Sequence, residues 1–159
     1  MHVPSEHDGR IALHDHIVDR AVDARRRYGP DIDADAIMRV LDDRKIVRYP
    51  VGVRFDAEPL EPGEFAWPMP LGARAHEGFC LFVHPHFEHR PETWAMLIAY
   101  HIPTINYGEI ATHEEAELFG ATLLGMDSEA YYQTLCALSD ELGTADAGMD
   151  RTEMNRRSS

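Results

Sequence analysis

The sequence lacks several features that would each assign a class of protein. No apolar run approaches the roughly 18 to 20 residues that a membrane-spanning helix needs, so no span is predicted. The two cysteines, Cys80 and Cys136, form no C-x-x-C motif, which excludes a zinc ribbon or a dithiol redox site. Neither a glycine-rich phosphate loop nor a G-x-S-x-G motif is present, so a P-loop nucleotidase and an α/β-hydrolase are excluded as well.

Positive charge is also scarce, since the net charge is −13 at pH 7. Nucleic acids and anionic membranes need a positive surface that displaces their counterions, so we expect neither as a partner. The opening segment MHVPSEHDGRIALHDH has no positively charged region followed by an apolar stretch, so no secretory signal is expected. The two cysteines are then interpreted as reduced core thiols, and the predicted location is cytoplasmic.

The composition is that of one globular domain, with 159 residues of which 44% are hydrophobic and 27% charged. We predict a single domain over 1–142, followed by a polar and mobile tail over 143–159. Within the domain, N-terminal helices occupy 10–44, and a sheet with a helical core occupies 45–142. The predicted class is α+β, with a small, mostly antiparallel sheet, a buried central helix and flanking helices.

The centre of the predicted domain is a strand followed by a buried helix. Residues 79–83 (FCLFV) are continuously apolar, which is typical of a central strand. The segment 91–101 (PETWAMLIAYH) is apolar nearly all round, so this helix should be buried. Pro103 is predicted to end the helix within a residue or two of His101, and HIPTINYGEIA then forms an irregular connection.

The remaining elements follow from helical periodicity and from residues typical of helix ends and strands. Thr112 and Glu115 form a capping box for a helix over 113–124, and Gly125 is expected to terminate it. The other predictions are helices over 10–28, 34–44 and 128–142, an extended segment over 45–55, and a short strand around 65–67.

Histidines and one carboxylate are the candidate metal ligands. Three histidines fall within six residues after the predicted central strand, a fourth ends the next helix, and a fifth begins the following one. Imidazole nitrogens together with a carboxylate suit zinc or another divalent ion, which is the one cofactor we consider. The alternative is that these side chains face water separately. The candidate ligands are His84, His86, His89, His101, His113 and Glu117.

The acidic residues that open the 113–124 helix are most simply a solvated first turn. They are Glu114, Glu115 and Glu117. Glu117 lies beside Ala116, towards the buried side of the helix. We therefore expect Glu117 to be the functional carboxylate of the three.

The stretches LIAYHIPTI and EEAELFGATLL belong to two successive predicted helices. With them, residues 34–126 resemble the zincin-like metallopeptidase domain of the ImmA/IrrE type. The resemblance implies a zincin-like fold, with His101 as first metal ligand and Glu114 or Glu117 as third. Ile102 stands where that family has the glutamate that activates water, and Ile105 where it has the second histidine.

The damaged motif leaves two functional hypotheses. The first is a zincin-like scaffold without the intact peptidase motif, acting as a binding or accessory subunit with a protein partner or as a homo-oligomer. Trp67 and Met69, in a proline-rich segment, favour it. The second is a metal-dependent enzyme, such as a hydrolase, with a non-standard His/Glu site. In either case we expect no H-E-x-x-H-type proteolysis, because isoleucine can neither ligate zinc nor accept a proton.

Overall fold

The computed structural model describes residues 6–145, in which five α-helices surround a three-stranded sheet. The helices are α1 (Glu6–Tyr28), α2 (Ala34–Asp42), α3 (Trp94–Tyr107), α4 (His113–Leu124) and α5 (Ser128–Ala145). The strands are β1 (Val51–Phe55), β2 (Ala66–Pro70) and β3 (Phe79–Val83). Over this part of the chain no helix is both long and apolar enough to cross a membrane.

The sheet has the order β1-β3-β2, so the apolar strand β3 is central, as predicted. The α+β class is confirmed, but the sheet is evenly mixed and the expectation of mostly antiparallel pairing is wrong. The short connection 71–78 returns the chain directly from β2 to β3, which makes this pair antiparallel. On its other side, β3 pairs with β1, and these two strands are parallel.

Helix α3 is the buried central helix, and it does not end near His101. It continues through Pro103 to Tyr107, so the irregular connection predicted over residues 101–111 is wrong for its first half. A proline inside a helix removes one hydrogen bond and crowds the preceding turn. Ile102 and Ile105, on either side of Pro103, lie in the core, and their burial offsets that cost. The helix ends at Gly108, whose φ of 67° suits glycine.

The ends of α4 are those predicted. The Thr112 side chain accepts a hydrogen bond from the Glu115 backbone, while the Glu115 side chain accepts one from the Thr112 backbone. Gly125 terminates the helix in the left-handed conformation. Helix α5 runs to Ala145 instead of 142, so residues 143–145 belong to a helix. The rest of the predicted tail, 146–159, lies outside the described residues.

The segment before β1 is held by a buried side chain and not by strand pairing. Residues 45–50 were expected to be extended, yet the strand begins only at Val51. Instead, Asn106 of α3 accepts a hydrogen bond from the Arg48 backbone at 2.8 Å and donates one to the Ile46 carbonyl at 2.8 Å. The side-chain amide therefore satisfies backbone groups that a sheet would otherwise pair.

Candidate functional site

A cleft of about 610 Å³ opens between the beginning of β2, the C-terminal half of α3 and the beginning of α4. We call it the His101 cleft, and its walls include residues 63–68, His101 with its neighbour Tyr100, Thr104, Glu109 and His113. Its volume lies within the range of small-molecule sites, which are mostly apolar with a few polar groups. The sequence did not predict this cleft, because its walls come from segments that are far apart along the chain, including Ser139 of α5.

Three aromatic rings meet in the wall of the His101 cleft. The ring centroids of Phe65 and Tyr100 are 5.9 Å apart, those of Phe65 and His101 are 5.4 Å apart, and those of Tyr100 and His101 are 5.3 Å apart. Phe65 is fixed by its carbonyl, which accepts a hydrogen bond from the His84 backbone at 2.8 Å. Tyr100 and His101 are consecutive residues of the buried helix α3. Helix α3 therefore positions two of the rings, and a backbone hydrogen bond just before β2 positions the third.

His101 is the one predicted ligand that the structure buries. Only 9% of the residue is exposed, and its Nε2 atom has no hydrogen-bond partner within residues 6–145. Burial lowers the pKa of His101 from 6.5 to about 4. The imidazole is therefore neutral at physiological pH. A buried polar atom without a partner is uncommon, and such atoms concentrate at functional sites.

Tyr100 links His101 to the start of α4. Its hydroxyl lies 2.9 Å from Nδ1 of His113. Burial and the nearby negative charge of Glu117 raise the pKa of Tyr100 to about 12. The pKa of Glu117 is itself raised, first by burial and then by the charge of Glu114. Burial is the largest cause of both shifts, and the neighbouring carboxylates add to it, so the ionised form of each group is disfavoured.

The other predicted histidines lie in a different setting. Strand β3 ends at Val83 and residues Pro85–Phe87 form a 3₁₀ turn, so His84 and His86 do not share a face of a continuing strand. His84 Nδ1 accepts a hydrogen bond from the His86 backbone, and His86 Nε2 lies 3.0 Å from a carboxylate oxygen of Glu141. His89 is exposed.

The six predicted ligands therefore do not form one cluster. His101 and His113 line the same cleft, whereas His84 and His86 lie in the turn after β3 and contact one another and α5. Among residues 6–145, no group of three or more histidine, cysteine, aspartate or glutamate side chains is arranged to hold a metal ion.

Ile102 and Ile105, the two positions that the resemblance aligns with the glutamate and the second histidine of the peptidase motif, face the protein core. Ile102 is fully buried and Ile105 is 2% exposed. Neither side chain is available to the cleft, although both neighbour His101 along α3. Both side chains therefore place apolar volume in the core, where their burial stabilises the helix that carries His101.

The carboxylate that the structure buries is Glu115, and the expectation of a solvated acidic turn is wrong for this residue. Its side chain is 4% exposed, forms an ion pair with Arg10 of α1 and accepts a hydrogen bond from the Thr112 backbone. His14 Nδ1 lies 3.5 Å from its other oxygen. The capping-box motif indicated the role of Glu115 at the helix start, but no local signal predicted the contact with α1.

The outer edge of β2, beside the cleft, is poor in hydrogen-bond donors. Phe65 and Leu71, at either end of β2, form backbone hydrogen bonds to the β3 side. Because this direction alternates along a strand, the backbones of residues 66, 68 and 70 point to the outer edge, which is buried at Ala66 and Pro68. Two of these residues are Pro68 and Pro70, which have no N–H. An extended peptide would therefore find few partners here, and strand addition is disfavoured.

The fold and the cleft define an α+β protein with a preformed, aromatic, histidine-lined cavity. No protein-family model, no curated protein and no solved structure matches the chain.

Proposed function

We propose that this chain is a non-catalytic binding protein on a zincin-like scaffold, acting as a binding or accessory subunit through the His101 cleft. The observation that carries the proposal is the buried, neutral His101, whose Nε2 atom has no partner among the described residues. The ring packs against Phe65 and Tyr100 at the wall of a cleft large enough for a small molecule.

The scaffold part of the proposal is supported by the arrangement of α3 and α4. A buried helix follows the sheet, and the helix that matches EEAELFGATLL packs against it. The loss of the peptidase motif argues against proteolysis, because the two altered positions, Ile102 and Ile105, carry side chains without acid, base or ligand atoms. The prolines on the outer edge of β2 argue further against an extended peptide as substrate.

The alternative is a metal-dependent hydrolase with a non-standard His/Glu site. It is favoured by His101 and His113, which line one cleft, with Glu117 one turn after His113. Zinc affinity by calorimetry at pH 7.5 tests it, because only neutral imidazole ligates a metal. Affinity that is lost in His101→Ala would favour the hydrolase. Affinity lost only in a His84→Ala/His86→Ala double variant would instead place a metal at the turn after β3.

The binding function is tested by ligand-induced stabilisation. A ligand that binds the folded state at 100 times its Kd adds about 2.7 kcal/mol to the free energy of unfolding. We expect a thermal-shift screen of small amines, acids, alcohols and nucleotides to give stabilising compounds. Thr104→Trp, an exposed position in the cleft wall, should abolish their effect, whereas Ala137→Trp, exposed on α5, should not.

Two results would contradict the proposed function. One is a screen in which no compound stabilises the wild type, or in which both tryptophan variants respond like the wild type. The other is zinc-dependent turnover of unfolded casein that is lost in His101→Ala, because the scaffold would then retain peptidase activity.

A further inference from the structure

One wall of the His101 cleft is a cluster of aromatic rings set at steep angles to one another. The interplanar angles are 64° between Phe65 and Tyr100, 59° between Phe65 and His101, and 83° between Tyr100 and His101. Tilted and edge-to-face contacts are arrangements that aromatic rings prefer, and they stabilise beyond the burial of apolar area. A planar ligand ring gains such contacts, whereas a saturated ring of the same size gains burial alone. The wall therefore favours an aromatic ligand.

The same wall disfavours charge of either sign. Burial lowers the pKa of His101 to about 4, and it is the largest cause that raises the pKa of Tyr100 to about 12 and raises the pKa of Glu117. His101 thus resists a positive charge, and Tyr100 and Glu117 resist a negative one. A charged ligand against this wall would meet the same desolvation cost, so an uncharged ligand is favoured.

The cleft lining also includes two carboxylates, but neither offsets this cost. Glu64 already accepts a hydrogen bond from the Glu61 backbone at 3.2 Å, and Glu109 is exposed to water. Water and salt screen an exposed charge, so its attraction for a cation is weak. We therefore expect no preference for a cation over an uncharged ligand.

Tyr100 of α3 and His113 of α4 form a polar pair in the cleft lining, where the tyrosine hydroxyl lies 2.9 Å from Nδ1 of the imidazole. If the hydroxyl donates to Nδ1, neutral His113 keeps its Nε2–H as a donor. If Nδ1–H donates to the hydroxyl oxygen, the tyrosine keeps its O–H as a donor. Either arrangement leaves one donor for a ligand oxygen. Thr104 and Glu109 line the same cleft and can accept a hydrogen bond, so a ligand hydroxyl, which both accepts and donates, matches these partners.

We infer that the His101 cleft binds a small, uncharged aromatic compound that carries a hydroxyl group, with its ring packed against Phe65, Tyr100 and His101. The ligand hydroxyl contacts the Tyr100–His113 pair. This inference rests on the proposed binding function and specifies its ligand class. It predicts discrimination against saturated rings and against ions of the same size.

The test compares probes of nearly one size that each change a single property. Benzyl alcohol has the proposed features, cyclohexylmethanol lacks the aromatic ring, toluene lacks the hydroxyl, benzylammonium is a cation and benzoate is an anion. Each is titrated into the full chain by calorimetry. We expect benzyl alcohol to bind about threefold or more tightly than cyclohexylmethanol, and about tenfold or more tightly than either ion. Equal or tighter binding of cyclohexylmethanol or of either ion, or no binding of benzyl alcohol up to about 10 mM, would overturn the inference.

Variants of the polar pair isolate the contact with the ligand hydroxyl. The double variant Tyr100→Phe/His113→Ala keeps a ring at residue 100 and removes both donors. In this variant the affinity of benzyl alcohol relative to toluene should fall about fivefold, with melting curves confirming that the protein folds. His89→Ala, at an exposed position outside the cleft, is the matched control and should keep the wild-type ratio. An unchanged ratio in the double variant would contradict the assigned contact.

Blocking variants place the ligand in the cleft. Thr104→Trp should abolish the binding of benzyl alcohol, whereas Ala137→Trp, exposed on α5, should bind it like the wild type. If both variants bind benzyl alcohol equally, the compound occupies another site and the inference is wrong.

The outcomes separate the ligand class from the proposed function. If cyclohexylmethanol or either ion binds the wild type more tightly than benzyl alcohol and is lost in Thr104→Trp, the cleft is a binding site and only the ligand class is wrong. If no compound of this set or of the thermal-shift screen binds, both fail.

Discussion

The burial of His101 predicts a pH dependence of stability that one substitution should remove. The pKa of this imidazole is about 4 in the folded protein, against 6.5 for the unperturbed side chain. Between these two pH values the unfolded chain binds a proton that the folded chain does not. Protonation therefore favours the unfolded state, and the free energy of unfolding rises as pH increases from 4 to 6.5. Above pH 6.5 the contribution of His101 to this free energy is constant.

The size of the effect follows from the two pKa values. A change from pH 7.5 to pH 5 should cost the wild type about 2 kcal/mol through His101 alone, and full protonation would cost about 3 kcal/mol. The chain contains ten histidines and many carboxylates, so the total pH dependence is a sum over all of them. His101→Leu removes only the contribution of the buried imidazole.

The assay is urea unfolding of the wild type and of His101→Leu at pH 7.5, 6.5, 5.5 and 5. The stability difference between the two proteins should shift by about 2 kcal/mol in favour of the variant across this range. His89→Leu, at an exposed position, is the matched control and should remain parallel to the wild type. A shift below about 0.5 kcal/mol for His101→Leu would refute the claim that the imidazole is buried and neutral.

Two further predictions concern packing around the buried helix. A Cβ atom at Gly120 of α4 would collide with the Tyr131 ring. Gly120→Ala should therefore lower the free energy of unfolding by about 2 kcal/mol in urea, although alanine favours helices. Unchanged or increased stability would contradict this packing. Asn106→Leu leaves the Arg48 N–H without its partner and removes one of two donors to the Ile46 carbonyl, which keeps its hydrogen bond from Arg20, so it should cost about 2 kcal/mol by the same assay. A cost below about 1 kcal/mol would show that the Arg48 hydrogen bond is dispensable.

The parts of the fold that the sequence predicted are those encoded locally. The apolar run 79–83 indicated the central strand, and the pair Thr112 and Glu115 indicated the start of α4. Parallel pairing of β1 with β3 was not predictable, because it depends on where the chain returns after β2. The prediction that Pro103 ends the helix is wrong, because packing in the core outweighs the local cost of the proline. That packing exists only in the folded protein.

The candidate site was predictable only in part. Among the predicted ligands, His101 and His113 prove to line one cleft, but spacing along the chain could not distinguish them from His84 and His86. Phe65 lines the cleft because it packs against Tyr100 and His101, which are far from it in the sequence. Hydrophobic patterning does not predict such long-range contacts. The topology of the fold determines which distant residues meet, whereas a sequence motif describes only residues within one helix or strand.

The central claim is that the His101 cleft is the binding site. NMR spectroscopy of histidine side chains, during titration of a compound that stabilises the wild type in the thermal-shift screen, tests it most directly. The account predicts that the ring resonances of His101 and His113 shift together and saturate with a single affinity, while those of His84, His86 and His89 stay in place. Shifts confined to the turn after β3, or saturating shifts that leave His101 and His113 unmoved, would contradict the account.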